Sequence, residues 1–228
     1  MIGDPPVLTL KRHIERPSEA KIAAFKGVPT GFVADAQMGQ GALDHRIKPL
    51  WPEACFAGPA VTAACGPRDN TAAYVAMRIA RPGDVLVLQT GDYEGAAVIG
   101  DNLAAIMKRL GIVAVVTDGL VRDLDGLLEV GLPVFCRGLT PNSPYKGAPC
   151  EVGTRVSIGG VAIDCGDILV GDRDGVVVVP GDRIDEVIRS LDDVRAKEKE
   201  AGERIAAGAT IPAWVDELIE SGRTRLLD

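Results

Sequence analysis

Between Gly58 and Thr117 short apolar runs alternate with stretches of helical spacing, and few folds accept that alternation. Residues 58–64, 84–89 and 112–117 read as strands, while 71–80 and 102–110 read as helices, the second stopped by Gly111. Strand, crossover helix and strand repeated in this way predict parallel pairing, because a tight turn cannot join two strands that run in the same direction. A glycine-spaced loop, 91–100, enters the second of these helices. Only 4% of residues are aromatic, so Val, Ile, Leu and Ala must fill the core, and 27 glycines allow close backbone approach.

The flanking segments follow different rules. Near the N-terminus Ser18 can cap a helix running to about Phe25, Asp35 can cap another ending near Gly39, and 41–49 reads as a polar, bent loop. After Pro133-Val134-Phe135 the helical spacing disappears. Residues 156–179 are short β runs separated by Gly159-Gly160, Cys165-Gly166-Asp167 and Asp174-Gly175, which are hairpin-type turn signals and predict an antiparallel layer. Helical spacing returns with Ile184, Val187, Ile188, Leu191 and Val194 and continues into the charged run 195–204. That run, holding Glu198, Glu200 and Glu203, reads as a solvated helix face laced by i,i+4 pairs. No repeat or low-complexity linker divides the chain. The expectation is one three-layer α/β unit over 1–228, with a C-terminal helical extension from about 182.

Charge and residue counts exclude several function classes. Against 25 Lys and Arg stand 32 Asp and Glu, a net charge of −7, which disfavours a phosphate-backbone footprint and hence a nucleic-acid partner. The longest apolar stretches, 112–116 and 176–179, fall far short of the roughly 20 residues of a membrane span. With no cleavable signal at the N-terminus, a cytoplasmic location is the default expectation. Five cysteines contain no C-x-x-C pair and read as buried, reduced thiols. His13 and His45 are the sole histidines; both read as solvated, and a multi-His metal site is excluded. Signatures for dinucleotide binding, phosphate loops, serine-hydrolase elbows and zincins are absent. The eight lysines lie in polar or helix-surface contexts, Lys108 and Lys146 being the least unsuited, so pattern does not support imine chemistry.

What remains is a pair of short segments. Asp101 falls at a predicted helix N-cap, where the free amides of Asn102 and Leu103 after Gly100, and the positive end of the helix dipole, favour a small carboxylate. Arg122-Asp123 follows the next strand, so in a parallel sheet it emerges at the same carboxyl edge. Arg-Asp also occurs at Arg68-Asp69, a capped helix start, and at Arg173-Asp174, beside a turn; the spacing alone singles out Arg122-Asp123. Arg122 would bind a substrate carboxylate and Asp123 a hard divalent cation. Mg²⁺ suits so few ligands because it completes its octahedron with water and substrate oxygens. Asp101 is the acid–base candidate, although most aspartates so placed are structural caps.

Asp101, twenty residues and then Arg122-Asp123, within Gly100-Asp101-Asn102-Leu103-Ala104 and Val116-Thr117-Asp118-Gly119-Leu120-Val121-Arg122-Asp123, resembles the 4-hydroxy-4-methyl-2-oxoglutarate/4-carboxy-4-hydroxy-2-oxoadipate aldolase family. The RraA-like regulators of RNase E belong to the same superfamily. Further matching pieces are Gly58-Pro59-Ala60-Val61-Thr62, Arg81-Pro82-Gly83-Asp84-Val85-Leu86-Val87, Gly131-Leu132-Pro133-Val134-Phe135 and the run from Gly171 to Pro180. The resemblance implies a swivelling α/β/β/α sandwich, also found in phosphohistidine domains, assembled as a trimer or hexamer with sites between subunits. It implies a class II pyruvate aldolase dependent on Mg²⁺ or Mn²⁺, acting on a 2-oxo acid. In it Asp123 would hold the metal, partly through water, and Arg122 would bind the pyruvyl end. The amides of Asn102 and Leu103 would hold the carboxylate, and Asp101 would lie near the protonating water. A glutamate from the neighbouring subunit would be Glu198, with Glu200 as the other register. Oxaloacetate decarboxylation would pass through the same enolate. The other function the superfamily offers is a non-catalytic regulator of an RNA-degrading enzyme; the C-terminal extension carrying Glu198 favours the aldolase. Tyr93, Glu94 and Tyr145-Lys146 are expected to line the distal pocket.

Overall fold

The computed structural model describes residues 6–227, so both ends of the expected 1–228 unit lie outside the described residues. In chain order the elements are β1 (Leu8–Leu10), α1 (Glu19–Ala23), α2 (Thr30–Ala36), β2 (Lys48–Pro49), β3 (Phe56–Ala64), α3 (Thr71–Ile79) and β4 (Val85–Gln89). There follow β5 (Ala97–Ile99), α4 (Asp101–Arg109), β6 (Ala114–Thr117), β7 (Leu120–Val121), α5 (Leu124–Val130), β8 (Val134–Cys136) and β9 (Gly138–Leu139). Then come β10 (Cys150–Val152), β11 (Val156–Ile158), β12 (Val161–Ile163), β13 (Ile168–Asp172), β14 (Gly175–Val179), α6 (Ile184–Ala206) and α7 (Ala213–Glu220). The chain forms two compact units, one ending at Leu191 and one beginning at Asp192.

The expected crossovers are present. β3, β4, β6 and β8 are successive parallel neighbours, and β2 closes one edge antiparallel to β8. Alternation along β4 shows why the sheet is buried on both faces: Leu86 and Leu88 point to one apolar cluster, Val85 and Val87 to another. The first cluster takes Ala72, Ala73 and Ala76 of α3 with Leu103, Ala104 and Met107 of α4. The second takes Val156, Ile158 and Ile163 of the β11–β12 hairpin with Leu169, Val176 and Val178 of β13 and β14. Outside β14, α2 buries Val33 and Ala36, and Gln37 donates to the Val178 carbonyl at 3.0 Å. Helix, sheet, β layer and helix therefore stack as the α/β/β/α sandwich.

Three local expectations need correction. Asp35 does not cap α2 but lies inside it; the helix begins at Thr30, whose amide and hydroxyl both donate to the Asp172 carboxylate, at 2.8 and 2.7 Å. A cap supplied by a strand 142 residues away leaves no local signal. The turn Cys165-Gly166-Asp167 is not a hairpin, because β12 and β13 do not pair; it docks on β3 through Gly166 N to Ala60 O (3.0 Å) and delivers β13 to the start of that strand. Ser18 does cap α1, accepting from the Lys21 amide, but the helix stops at Ala23. Of the cysteines, Cys65, Cys136 and Cys150 are buried and Cys55 is exposed.

In α6 the apolar face buries Ile184, Val187 and Leu191. Past Leu191 the helix is polar, with a Lys199–Glu203 pair at 3.8 Å. No described helix is long and apolar enough to cross a membrane.

At the start of β4, Arg16 grips Asp84 with both arms of its guanidinium, at 2.8 and 2.7 Å, and burial leaves the Asp84 side chain 1% exposed. The carboxylate in turn holds the Arg16 pKa above its ordinary value. Removing one partner strands the other charge, so Asp84→Ala is expected to cost about 3 kcal/mol, lowering Tm by roughly 6–12 °C in a thermal melt. Burial also pushes the thiol of Cys65 up to about 12 and that of Cys136 to about 11. At pH 8 a disulfide reagent should label Cys55 rapidly in the native protein, while Cys65 and Cys136 should react only after urea unfolding.

Candidate active site

The site grows from three strands too short to read in the sequence. β5, β7 and β9 form their own parallel sheet, with Ala97 opposite Leu120 and Leu120 opposite Gly138. Arg122 N donates to Ile99 O at 3.1 Å, so the residues that follow β5 and β7, Gly100 and Arg122-Asp123, leave the sheet side by side. The strands are neighbours joined by α4 and β6, and the interval between Asp101 and Arg122 is the length of that crossover.

Helix α4 begins one residue earlier than expected. Gly100 is its N-cap, Asp101 is its first residue, and the first intrahelical bond is Ala104 N to Gly100 O, 3.0 Å. Amides before Ala104 have no acceptor within the helix. Asp101 Oδ1 takes the Asn102 amide at 2.6 Å, so of the two amides expected to bind a carboxylate this one is already engaged. The other carboxylate oxygen lies beside Gly126 of α5, where a β-carbon would approach it to 2.5 Å.

The Arg122 guanidinium makes two contacts. Nε lies 3.1 Å from Asp123 Oδ2, and Nη1 donates to Ser143 Oγ at 2.5 Å. Asp123 adopts a left-handed backbone, φ 61° and ψ 52°, at the N-cap of α5. Aspartate is one of the few side chains that tolerate this region, at a cost of order 1–2 kcal/mol, and such strain gathers at functional sites. Gly100 makes room for the pair: a β-carbon there would lie 2.6 Å from Asp123 Oδ2 and 3.1 Å from Arg122 Cγ.

Gly100, Asp101, Asn102, Leu103 and Arg122 line one cleft of about 240 Å³. This volume suits a small metabolite rather than a nucleotide. Asp123 adjoins the cleft through Arg122 rather than lining it. Lys146 lines it, with Nζ 5.3 Å from the centre of the Tyr74 ring, whereas Tyr93, Glu94 and Tyr145 do not. Glu198 and Glu200 are exposed on the part of α6 in the second unit. Asn70, Tyr74 and Ser143 also line the wall and were missed by sequence reasoning. The capped helix start expected at Arg68-Asp69-Asn70 is present, with Asn70 at the N-cap of α3 and Asp69 Oδ1 accepting the Thr71 amide at 2.7 Å, while the Asn70 side-chain amide donates to Val98 O at 3.1 Å. Ser143, in a loop without periodicity, had no signal at all.

Behind the cleft Asp118, 1% exposed, accepts Thr90 N (2.6 Å), Thr90 Oγ1 (3.0 Å) and Asp92 N (3.0 Å). These bonds tie the loop after β4 to the loop leading into β7. Among the described residues no group of three or more His, Cys, Asp or Glu side chains could hold a metal. The local donor set is one or two carboxylates, Asp123 and Asp101, which fits a hydrated hard cation and not an all-protein cage.

A family model described as RraA-like, Aldolase/RraA, matches residues 30–178. A protein of Halalkalibacterium halodurans with the provisional name 4-hydroxy-4-methyl-2-oxoglutarate aldolase is 34% identical over 202 residues, 87% of this chain and 95% of that protein. Among solved structures, an uncharacterized protein from Pseudomonas syringae pv. tomato superimposes with a TM-score of 0.76 at 26% identity, covering 86% of this chain and 96% of that one. Streptomyces coelicolor RraAS2, described as an unusual member of the RNase ES inhibitor RraA family, gives 0.75 at 29% identity over 83% of this chain and all of that one.

Because Gly100 has an ordinary backbone conformation, φ −137°, Gly100→Ala should alter stability by less than about 1 kcal/mol while displacing the Arg122-Asp123 pair. The expected result in calorimetric titration with oxalate and Mg²⁺ is loss of binding with Tm nearly unchanged. Unaltered affinity would show that the close approach at Gly100 does not serve the cleft.

Proposed function

Because the chain belongs to the RraA-like, Aldolase/RraA family, we propose that it is a divalent-metal-dependent pyruvate aldolase. Its substrate would be a 4-hydroxy-2-oxo diacid, 4-hydroxy-4-methyl-2-oxoglutarate or 4-carboxy-4-hydroxy-2-oxoadipate, with oxaloacetate decarboxylation as a side activity. The observation that carries the reading is the convergence in one small cleft of Arg122, the N-terminus of α4 and the Asp101 carboxylate, with Asp123 held against Arg122. The provisional name of the H. halodurans relative supports the same reaction class.

In the proposed mechanism the Arg122 guanidinium orients the 2-oxo acid end through its carboxylate, and the free amide end of α4 adds partial positive charge. Loss of the C4 hydroxyl proton turns C4 into a carbonyl as the C3–C4 bond breaks. The bond's electron pair passes through C3 to the C2 oxygen, leaving the enolate of pyruvate. Arg122 and the helix end stabilise the developing negative charge where it forms. Asp101 holds the water whose proton is added at C3, releasing pyruvate and a second 2-oxo acid. Mg²⁺ or Mn²⁺, held by Asp123 partly through water, would supply Lewis-acid stabilisation of the C2 oxygen. Glu198 of a second copy, with Glu200 as the other register, is the proposed acceptor of the hydroxyl proton in a trimer or hexamer.

Pyruvate release, coupled to lactate dehydrogenase, should appear from oxaloacetate and from 4-hydroxy-4-methyl-2-oxoglutarate with Mg²⁺ and vanish with EDTA. Arg122→Ala and Asp123→Ala should each lower both activities by at least about 100-fold. Release from neither substrate would overturn the aldolase reading in favour of a regulator that binds another protein.

A further inference from the structure

We propose that Ser143 is a positioning residue that sets the plane of the Arg122 guanidinium and thereby the affinity of the cleft for a 2-oxo acid; this rests on the reading of Arg122 as the carboxylate-binding group. A guanidinium carries five N–H donors in a rigid plane, and its value in recognising a carboxylate depends on the direction that plane faces. Arg122 is 35% exposed, so burial does little to immobilise it. Two contacts hold the side chain instead: Nε beside Asp123 Oδ2 at 3.1 Å and Nη1 donating to Ser143 Oγ at 2.5 Å. One tie alone permits rotation about the tied end. The ion pair at Nε and the directional hydrogen bond at Nη1 together orient the plane and leave Nη2 and the remaining Nη1 proton for an incoming carboxylate.

The segment carrying Ser143 is itself held by hydrogen bonds on both sides. Before it, Asn142 O accepts from Ala97 N at 2.9 Å and the Asn142 side-chain Nδ2 donates to Gly95 O at 3.1 Å. After it, Tyr145 N donates to Arg68 O at 2.7 Å, Gly147 N to Thr71 Oγ1 at 2.8 Å and Ala148 N to Asp69 Oδ2 at 3.0 Å. The strap that carries the hydroxyl is thus tied both to the entry of β5 and to the start of α3. Its exposed position in the sequence N-S-P has no packing role to account for a serine, since Ser143 is exposed and both it and Arg122 line the cleft.

Ser143→Ala is expected to raise KM for oxaloacetate, and Kd for oxalate with Mg²⁺, about tenfold, the larger share of the loss in kcat/KM lying in KM, with Tm unchanged. Ser143→Thr, which keeps the hydroxyl, should restore most of the affinity. In an Arg122→Ala background Ser143→Ala should have no further effect on oxalate binding, because the hydroxyl acts through that guanidinium. Wild-type KM and Kd in Ser143→Ala, or an equal loss in Ser143→Thr, would overturn the proposal while leaving the aldolase reading intact. Failure of the wild-type protein to bind oxalate or release pyruvate would instead overturn the aldolase reading, and this proposal with it.

Discussion

The bond from the Arg122 amide to the Ile99 carbonyl, 3.1 Å, is the contact on which the cleft depends. It ends the pairing of β5 with β7 and fixes the backbone of Gly100 against that of Arg122-Asp123. Everything chemical follows within a residue or two: the start of α4, the strained turn at Asp123 and the close approach that only glycine permits. Strands of two and three residues are not stable alone, so their register must come from elsewhere. It comes from Ile99 and Val121, both buried in the cluster beneath α3 and α4, and from Asp118, which ties the two loops together behind them.

That dependence explains why the larger sheet is built as it is. β4 and β6 are apolar on both faces, with helices on one side and the antiparallel layer on the other, so neither can slide without moving one set of side chains into the wrong cluster. A rigid pair of strands delivers the loops at 90–96 and 118–119 to fixed positions. Asp118 converts that rigidity into the placement of the small sheet: a buried carboxylate with three donors is costly to disturb, and its donors come from the neighbouring loop.

Legibility in the sequence tracked the range of the interactions involved. The crossovers of β3, α3, β4, α4 and β6 were readable because each rests on periodicity within ten residues. Burial of Leu86 and Leu88 against Val85 and Val87 simply completes that pattern. The Asp172 cap on Thr30 was not readable, because its donor and acceptor are 142 residues apart. Nor was the small sheet, whose strands carry too few residues to show a period. For the cleft, the spacing of Asp101 and Arg122-Asp123 identified the right neighbourhood, but it assigned the cap to Asp101, where Gly100 takes it, and left the Asn102 amide free, where Asp101 engages it. Ser143 and Asn70 come from segments that the chain brings together only when folded.

The charges in the cleft also bear on how an enolate could be stabilised there. Of the two lysines least unsuited to imine chemistry by sequence, Lys108 in the last turn of α4 donates to the Val130 carbonyl, and Lys146 is exposed at the cleft wall over Tyr74. An amine nucleophile of that kind requires enclosure in an apolar pocket, which neither has. Fixed positive charge is the other route to an enolate, and it is what this fold places at the cleft: a guanidinium contacted at Nε and Nη1 and the positive end of a helix dipole. The carboxylates of Asp101 and Asp123 would oppose an anionic ligand if left uncompensated. Asp123 is compensated in part by Arg122, and in the proposed function a hard cation at Asp123 would complete that balance.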